Sequence, residues 1–206
     1  MNWYRAHLAP RLIDAACSAP TLASWRARVC AGLGGRVVEL GFGSGRNIEF
    51  YPDDVDEVLA LEPSALGRRM ARTRIAAATV PVVFVGNDAR TIPLDDGSCD
   101  AALTTFTLCS IDDVARALAE VRRVLRPGGA LHFLEHGLSP DETVARWQHR
   151  LDPLEGRLAD GCHLTRDPVA LVRDARFDLE WVEQRYVRGP RPWTYFTIGR
   201  VTAPIG

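Results

Sequence analysis

Five short apolar runs recur along the chain, and each ends in glycine or polar residues. They are RVVEL (36–40), DEVLALE (56–62), VPVVFVG (80–86), CDAALTTF (99–106) and ALHFLEH (130–136). Each has strand length, and most read as apolar on both faces, as a buried parallel sheet requires. Helical stretches separate them. Residues 65–78 carry arginines on one side. Residues 112–125 set Val114, Leu118, Val121 and Leu125 at helical spacing before Pro127-Gly128-Gly129, which stops the helix. This alternation predicts an α/β fold with a doubly wound sheet.

The flanks add to that core. Residues 3–17 and 21–33 read as two N-terminal helices parted by Pro20, with Trp3, Tyr4 and Trp25 as anchors. Residues 140–176 read as mostly helical. The tail, FDLEWVEQRYV and TYFTIGRV joined by RGPRPW, reads as an antiparallel strand pair. A chain of 206 residues suits one domain. Within 1–206 we divide it into an N-terminal helical cap (1–33), a ligand-binding core (36–136), and substrate-side helices with a C-terminal strand pair (137–206).

Composition removes several function classes. A net charge of −1 gives no footprint for a phosphate backbone, so no nucleic-acid partner is expected. All 25 basic residues are arginine, which excludes a Schiff-base lysine and a P-loop with its phosphate lysine. Five cysteines without a CxxC pair point to a reducing, cytoplasmic setting, with no disulfide framework and no metal. The N-terminus lacks the apolar core of a secretory signal. No run reaches the roughly 18 apolar residues of a membrane span, which leaves only peripheral membrane contact open.

In an open α/β sheet, ligands bind at the carboxyl ends of the strands. There the first run leads into Glu39-Leu-Gly41-Phe-Gly43-Ser-Gly45-Arg46-Asn47, the second ends at Glu62-Pro63, and the third at Asn87-Asp88-Ala89. A dinucleotide fingerprint requires G-x-G-x-x-G, but the third position here is Arg46. Glu62, 21 residues after Gly41, is placed to accept both hydroxyls of a ribose, and Asp88 to accept from an adenine amino group. Each acid alone reads as a solvated loop residue. Three acids at three successive strand ends read as a nucleoside site.

The segments VVELGFGSGRN, LALEP, GNDA, DGSCDAALTT and RVLRPGGALHF, in that order, resemble the motifs of class I S-adenosylmethionine-dependent methyltransferases. The resemblance implies a Rossmann-like, seven-stranded, mostly parallel sheet with an antiparallel last strand. It implies S-adenosyl-L-methionine as cofactor. Glu39, Gly41, Gly43 and Gly45 would cradle its methionine half, Glu62 with Pro63 its ribose, and Asp88 with Ala89 its adenine. Thr105 and Phe106 would line the other side. A narrower resemblance adds TLCSI (107–111), FLEH (133–136), WQ (147–148), LDP (151–153) and DGCHLTRD (160–167), which look like the alkyl-thiol S-methyltransferases. It implies methylation of a small thiol on sulfur.

Thiol pKa values near 8.5 leave only a few per cent thiolate at neutral pH, so a base is expected. His136, at the carboxyl end of the fifth run, is the first candidate and His163 the second; a helix-cap role near Thr165 and Asp167 weighs equally for His163. His132 lies about 13 Å from His136 along the strand and reads as a packed core residue. Cys109 and Cys162 read as small buried hydrophobes. Glu135 either binds the acceptor or orients a loop. Asp160 and Arg166 read as helix caps and pairs, and Arg146 and Trp147 as substrate contacts or one face of an amphipathic helix. The rival readings are an O-, N- or C-methyltransferase of a small apolar, quinone-like or lipid acceptor, and a non-catalytic S-adenosylmethionine-binding protein.

Overall fold

In a computed structural model, the structure describes residues 3–204; the outermost residues of the N-terminal cap and of the C-terminal segment lie outside that range. The seven strands are β1 (Gly35–Leu40), β2 (Val55–Leu61), β3 (Val82–Gly86), β4 (Cys99–Thr105), β5 (Leu125–His136), β6 (Asp178–Tyr186) and β7 (Tyr195–Thr202). They form one sheet in the order β3-β2-β1-β4-β5-β7-β6. Pairing is parallel from β3 through to β5, and β7 runs antiparallel to both β5 and β6. The expected mostly parallel sheet with an antiparallel last strand is the one observed.

Both faces of the sheet are covered, which is why its central strands carry no polar alternation. Val37 and Val38 are adjacent, fully buried and packed into different hydrophobic clusters. One cluster takes Leu118, Val121 and Val124 from α5 (Val114–Val124) and Val172 from α7 (Pro168–Asp174). The other takes Trp25 and Val29 from α3 (Ala23–Cys30) and Ala71 from α4 (Ala65–Ala76). Side chains start four helices: Ser64 caps α4, Asp113 caps α5, Asp141 caps α6 (Glu142–Leu158) and Asp167 caps α7. Each such cap contributes about 1 kcal/mol and fixes where the preceding loop ends.

Three local readings are corrected. The helix expected over 3–17 is two pieces, α1 (Trp3–His7) and α2 (Ala9–Ala16). Pro10 lacks an N–H and cannot sit in a helix interior, so it opens a new helix instead. Trp3 is 68% exposed, its ring meeting only that of His7 in the same short helix among the described residues, whereas Trp25 is buried and stacks edge-on against Phe196 at 5.7 Å. The fifth strand begins at Leu125, not at 130: Cys99 pairs with Leu125, and a bulge precedes the next pair, Ala101 with Ala130. Arg126-Pro127-Gly128-Gly129 therefore forms an irregularity within the strand.

Candidate active site

A cavity of about 490 Å³ opens at the carboxyl ends of β1 to β4. It lies where the chain order reverses between β1 and β4, the usual ligand position in such sheets. The turn after β1 forms its floor. Gly41 and Gly43 have φ of +67° and +59°, a region that side chains rarely adopt. A Cβ on Gly41 would run into Thr107, whereas one on Gly43 would meet nothing nearer than the Gly41 carbonyl at 3.8 Å. The bare backbone at Gly43 thus faces the cavity. Gly45 lies behind this floor, where a Cβ would crowd Ile48.

The three acids have different surroundings. Glu62 is buried and lines the cavity. It accepts the Gly43 N–H at 2.6 Å and the Ser64 N–H at 2.7 Å. Burial pushes its carboxyl pKa up, and the two backbone donors partly offset this. A carboxylate has about four acceptor sites, so two remain for a ligand. Glu39 lies beneath the cavity, not in its wall, and accepts from Asn47 Nδ2 at 2.7 Å and from the Tyr51 hydroxyl. Burial pushes its pKa up to about 7. Asp88 lines the cavity with Ala89 and Pro63, but Arg90 grips both its oxygens and holds its carboxyl below the usual range.

Thr105 and Phe106 form the opposite wall. Phe106 has φ +53°, a backbone conformation that costs roughly 1 kcal/mol or more and tends to occur at functional sites. Its ring packs edge-on against Phe196 at 5.1 Å. The N-terminal cap supplies the roof through Pro10, Ile13, Asp14 and Cys17. Asp14 receives Arg46 Nε at 2.8 Å and Nη2 at 2.7 Å, and the Ser44 hydroxyl as well. This ties α2 to the glycine turn. Arg26 on α3 is 5% exposed yet lines the cavity. It donates to Asn47 Oδ1 at 2.5 Å and to Thr105 Oγ1 at 3.3 Å; no carboxylate among the described residues forms an ion pair with it. Nothing in an arginine-rich sequence singles out Arg26 or Asp14, and sequence reading missed both.

On the β5 side the structure brings together residues from three distant segments. The sulfurs of Cys109 and Cys162 and the His136 ring lie within 4.8 Å of one another, with His136 Nε2 at 3.1 Å from Cys162 Sγ. Both thiols are buried, as expected, but not among apolar neighbours only. The hydrogen bond from Cys162 and the facing imidazole hold the Cys109 thiol well below its usual range, while donating that bond and burial push Cys162 up. His136 Nδ1 is buried without a partner among the described residues.

Around the cluster, Glu135 is fully buried and accepts from Thr104 Oγ1 and from the N–H groups of Thr107 and Leu108. It orients a loop. The Arg166 guanidinium donates to the Leu108 carbonyl, and the His163 backbone N–H to the Cys109 carbonyl at 2.9 Å. The His163 ring turns away to Asp152, 2.9 Å from Nδ1; neither His163 nor His136 lines the cavity, although Ser110, next to Cys109, does. Asp152 also accepts from the Leu164 and Thr165 N–H groups, so His163 helps set this loop through Asp152, not through Thr165 or Asp167. His132 is a core residue, 1% exposed, held by the Val29 carbonyl and by Arg200. Trp147 is 52% exposed under Arg150, away from the cavity.

This sheet order, the glycine turn after β1 and the acid ending β2 define a Rossmann-like, class I methyltransferase fold. Residues 38–133 match the family model described as "Methyltransferase domain". The chain is 38% identical over 176 residues to human thiol S-methyltransferase TMT1B, covering 82% of this chain and 69% of that protein. It is 34% identical to human thiol S-methyltransferase TMT1A over 76% of this chain and 65% of that one. It thus spans about two thirds of these relatives' length. Among solved structures, the [4+2]-cyclase SpnF superposes with a TM-score of 0.71 at 20% identity, covering 90% of this chain and 81% of that one, which speaks to the fold alone. The chain belongs to the S-adenosylmethionine-dependent methyltransferases, in the family that includes the thiol S-methyltransferases TMT1A and TMT1B. Its methyl donor is S-adenosyl-L-methionine. The residues present fit that cofactor: a carboxylate with free acceptor sites for a diol, backbone without a side chain above it, and a buried guanidinium that pairs with no carboxylate among the described residues.

Proposed function

We propose that the protein methylates a small, mostly apolar thiol on sulfur. The observation that carries this reading is the extent of similarity to thiol S-methyltransferases, 176 residues, well beyond the 38–133 of the methyltransferase domain. Five free thiols suit a cytoplasmic setting. No helix among the described residues is long and apolar enough to cross a membrane.

Glu62 takes the ribose hydroxyls and Asp88 with Ala89 the adenine edge. Gly41 and Gly43 let the methionine half lie against the backbone, with Gly45 keeping the turn compact and Glu39 bracing it through Asn47. Arg26 takes the carboxylate. The N-terminal cap, through Pro10, Ile13, Asp14 and Cys17, closes the cavity and excludes water. Bound S-adenosyl-L-methionine supplies a methyl group already activated on a sulfonium. The chain then has to hold an acceptor in line at about 3–3.5 Å and ionise its S–H. His136 is the group at which that ionisation is assisted, and His163 positions the surrounding loop.

The test is a methyl-transfer screen of matched thiols, phenols, amines and quinones with labelled cofactor. Thiols should turn over, and the effect of His136→Asn should shrink as pH rises above the thiol pKa. Turnover of phenols or amines without thiols would overturn the sulfur assignment while leaving the methyltransferase in place.

A further inference from the structure

We infer that Cys109, His136 and Cys162 bind a zinc ion whose fourth position receives the acceptor thiol. The inference rests on the thiol reading for that fourth ligand only; the three-residue site stands on its own geometry.

Two thiols and an imidazole are a soft-to-borderline donor set, which selects zinc over calcium or magnesium. With Zn–S near 2.3 Å and Zn–N near 2.0–2.1 Å, tetrahedral geometry requires donors about 3.5–3.8 Å apart. The three donor atoms lie within 4.8 Å of one another, and His136 Nε2 and Cys162 Sγ are 3.1 Å apart, so adjustments of at most about 1 Å bring the set to that spacing. The donors come from separate, well-held segments. Cys109 follows β4 in a turn fastened by Glu135 to the Thr107 and Leu108 N–H groups. His136 ends β5, and Cys162 sits in a loop fastened by Asp152. The His163 N–H bonds the Cys109 carbonyl at 2.9 Å and joins two of these segments directly. Such preorganisation is what a metal site needs.

Three protein ligands and one open position is the arrangement of a reactive zinc centre, as opposed to a closed structural one. The open position has a neighbour to serve. Ser110, next to Cys109, and Asp160, two residues before Cys162, line the cofactor cavity. An acceptor S–H ionises as its sulfur joins the metal, and the proton leaves to solvent. That sulfur's electron pair then forms the new S–C bond as the sulfonium–methyl bond breaks, its pair staying on the cofactor sulfur. The methylated product is a neutral thioether, a weaker ligand than thiolate, and dissociates.

The experiment measures metal in the full chain purified under reducing conditions, then repeats it after chelation and titration with zinc or cobalt alone. The expected result is about one zinc per chain, reduced to near zero in Cys162→Ser and His136→Asn. The cobalt form should show thiolate-to-metal charge transfer, and its visible bands should shift when a small thiol is added. Wild-type protein that holds no zinc under these conditions, or that carries a Cys109–Cys162 disulfide instead, overturns the site without reference to any variant. Zinc with cobalt bands insensitive to thiols overturns the fourth-ligand assignment. Undiminished thiol methylation by metal-free protein overturns the fourth-ligand assignment but keeps the thiol reading. A metal-loaded enzyme that turns over only phenols or amines sinks the thiol reading but keeps the three-residue metal site.

Discussion

The two halves of the strand-end region handle their polar groups differently. On the β1–β3 side every carboxylate has a protein partner: Glu39 has Asn47 and Tyr51, Glu62 has two backbone N–H groups, and Asp88 has Arg90. On the β5 side two thiols and an imidazole face one another, and His136 Nδ1 has no partner among the described residues. On our proposal the first side is the cofactor cradle, already held in shape by these partners. The second has donor atoms left over for something further. Loss of a cradle residue should therefore act on cofactor binding, and loss of a cluster residue on turnover.

The largest effect should follow Glu62→Ala. It removes the acceptor for a bound diol and the brace for the Gly43 N–H at once. Charge-assisted hydrogen bonds of this kind contribute about 1.5–3 kcal/mol each, so S-adenosylhomocysteine should bind about 10²-fold or more weaker. Calorimetry measures this, and circular dichroism should show the fold retained. An unchanged dissociation constant would remove Glu62 from the cradle.

His136→Asn should do the reverse, lowering turnover by about 10² or more, the low end holding if His136 only assists proton loss from a thiol and a larger loss if it holds the metal that ionises it, while cofactor affinity stays within about threefold. If affinity falls in step with turnover, the two halves are one site and the contrast fails.

Arg26→Met sharpens the picture within the cradle. Its guanidinium is buried beside Asn47 and Thr105 without an acid, and we expect about tenfold weaker binding of S-adenosylhomocysteine from a lost charged hydrogen bond. 5′-Methylthioadenosine, which lacks the carboxylate, should lose little. Equal losses for both ligands would show that Arg26 only supports the turn.

The same contrast explains what could be read from the sequence. The cradle is built from turns that directly follow strands, so Gly41, Gly43, Glu62 and Asp88 announce themselves by local spacing. So do the five parallel strands, whose apolar runs are dictated by burial on both faces. The cluster has no such signature. Cys109, His136 and Cys162 meet only because the 160–167 loop folds back against the turn after β4, a contact that no local periodicity encodes. That two cysteines without a CxxC pair read as buried hydrophobes follows directly. Arg26 escaped for a different reason: arginine supplies all the positive charge of this chain, so one arginine in a helix carries no information. The broken helix at Pro10, by contrast, was legible in principle, since an interior proline already argues against continuity.

The smallest effect on binding should come from Glu39→Gln, which tests whether the cradle's lowest layer acts only through structure. Glu39 is outside the cavity wall, so cofactor affinity should change by no more than about threefold, far less than with Glu62→Ala. Its contribution appears in the pH dependence of stability. Burial raises its carboxyl pKa from 4.5 to about 7 in the folded protein. Between those values the folded state keeps a proton that the unfolded chain has released, so its stability falls as pH rises through this window and levels off above it. The upper limit of that loss is roughly 3 kcal/mol. Glutamine does not titrate. Its amide oxygen can accept from Asn47, and its NH₂ can donate to a turned Tyr51 hydroxyl, so the shape of the site is kept. Urea midpoints of the ligand-free protein at pH 5 and pH 7.5 should therefore diverge more for the wild type than for Glu39→Gln. Equal divergence would mean that Glu39 keeps its charge in the fold, and that the cradle's base is an ionised layer beneath Gly41 and Gly43.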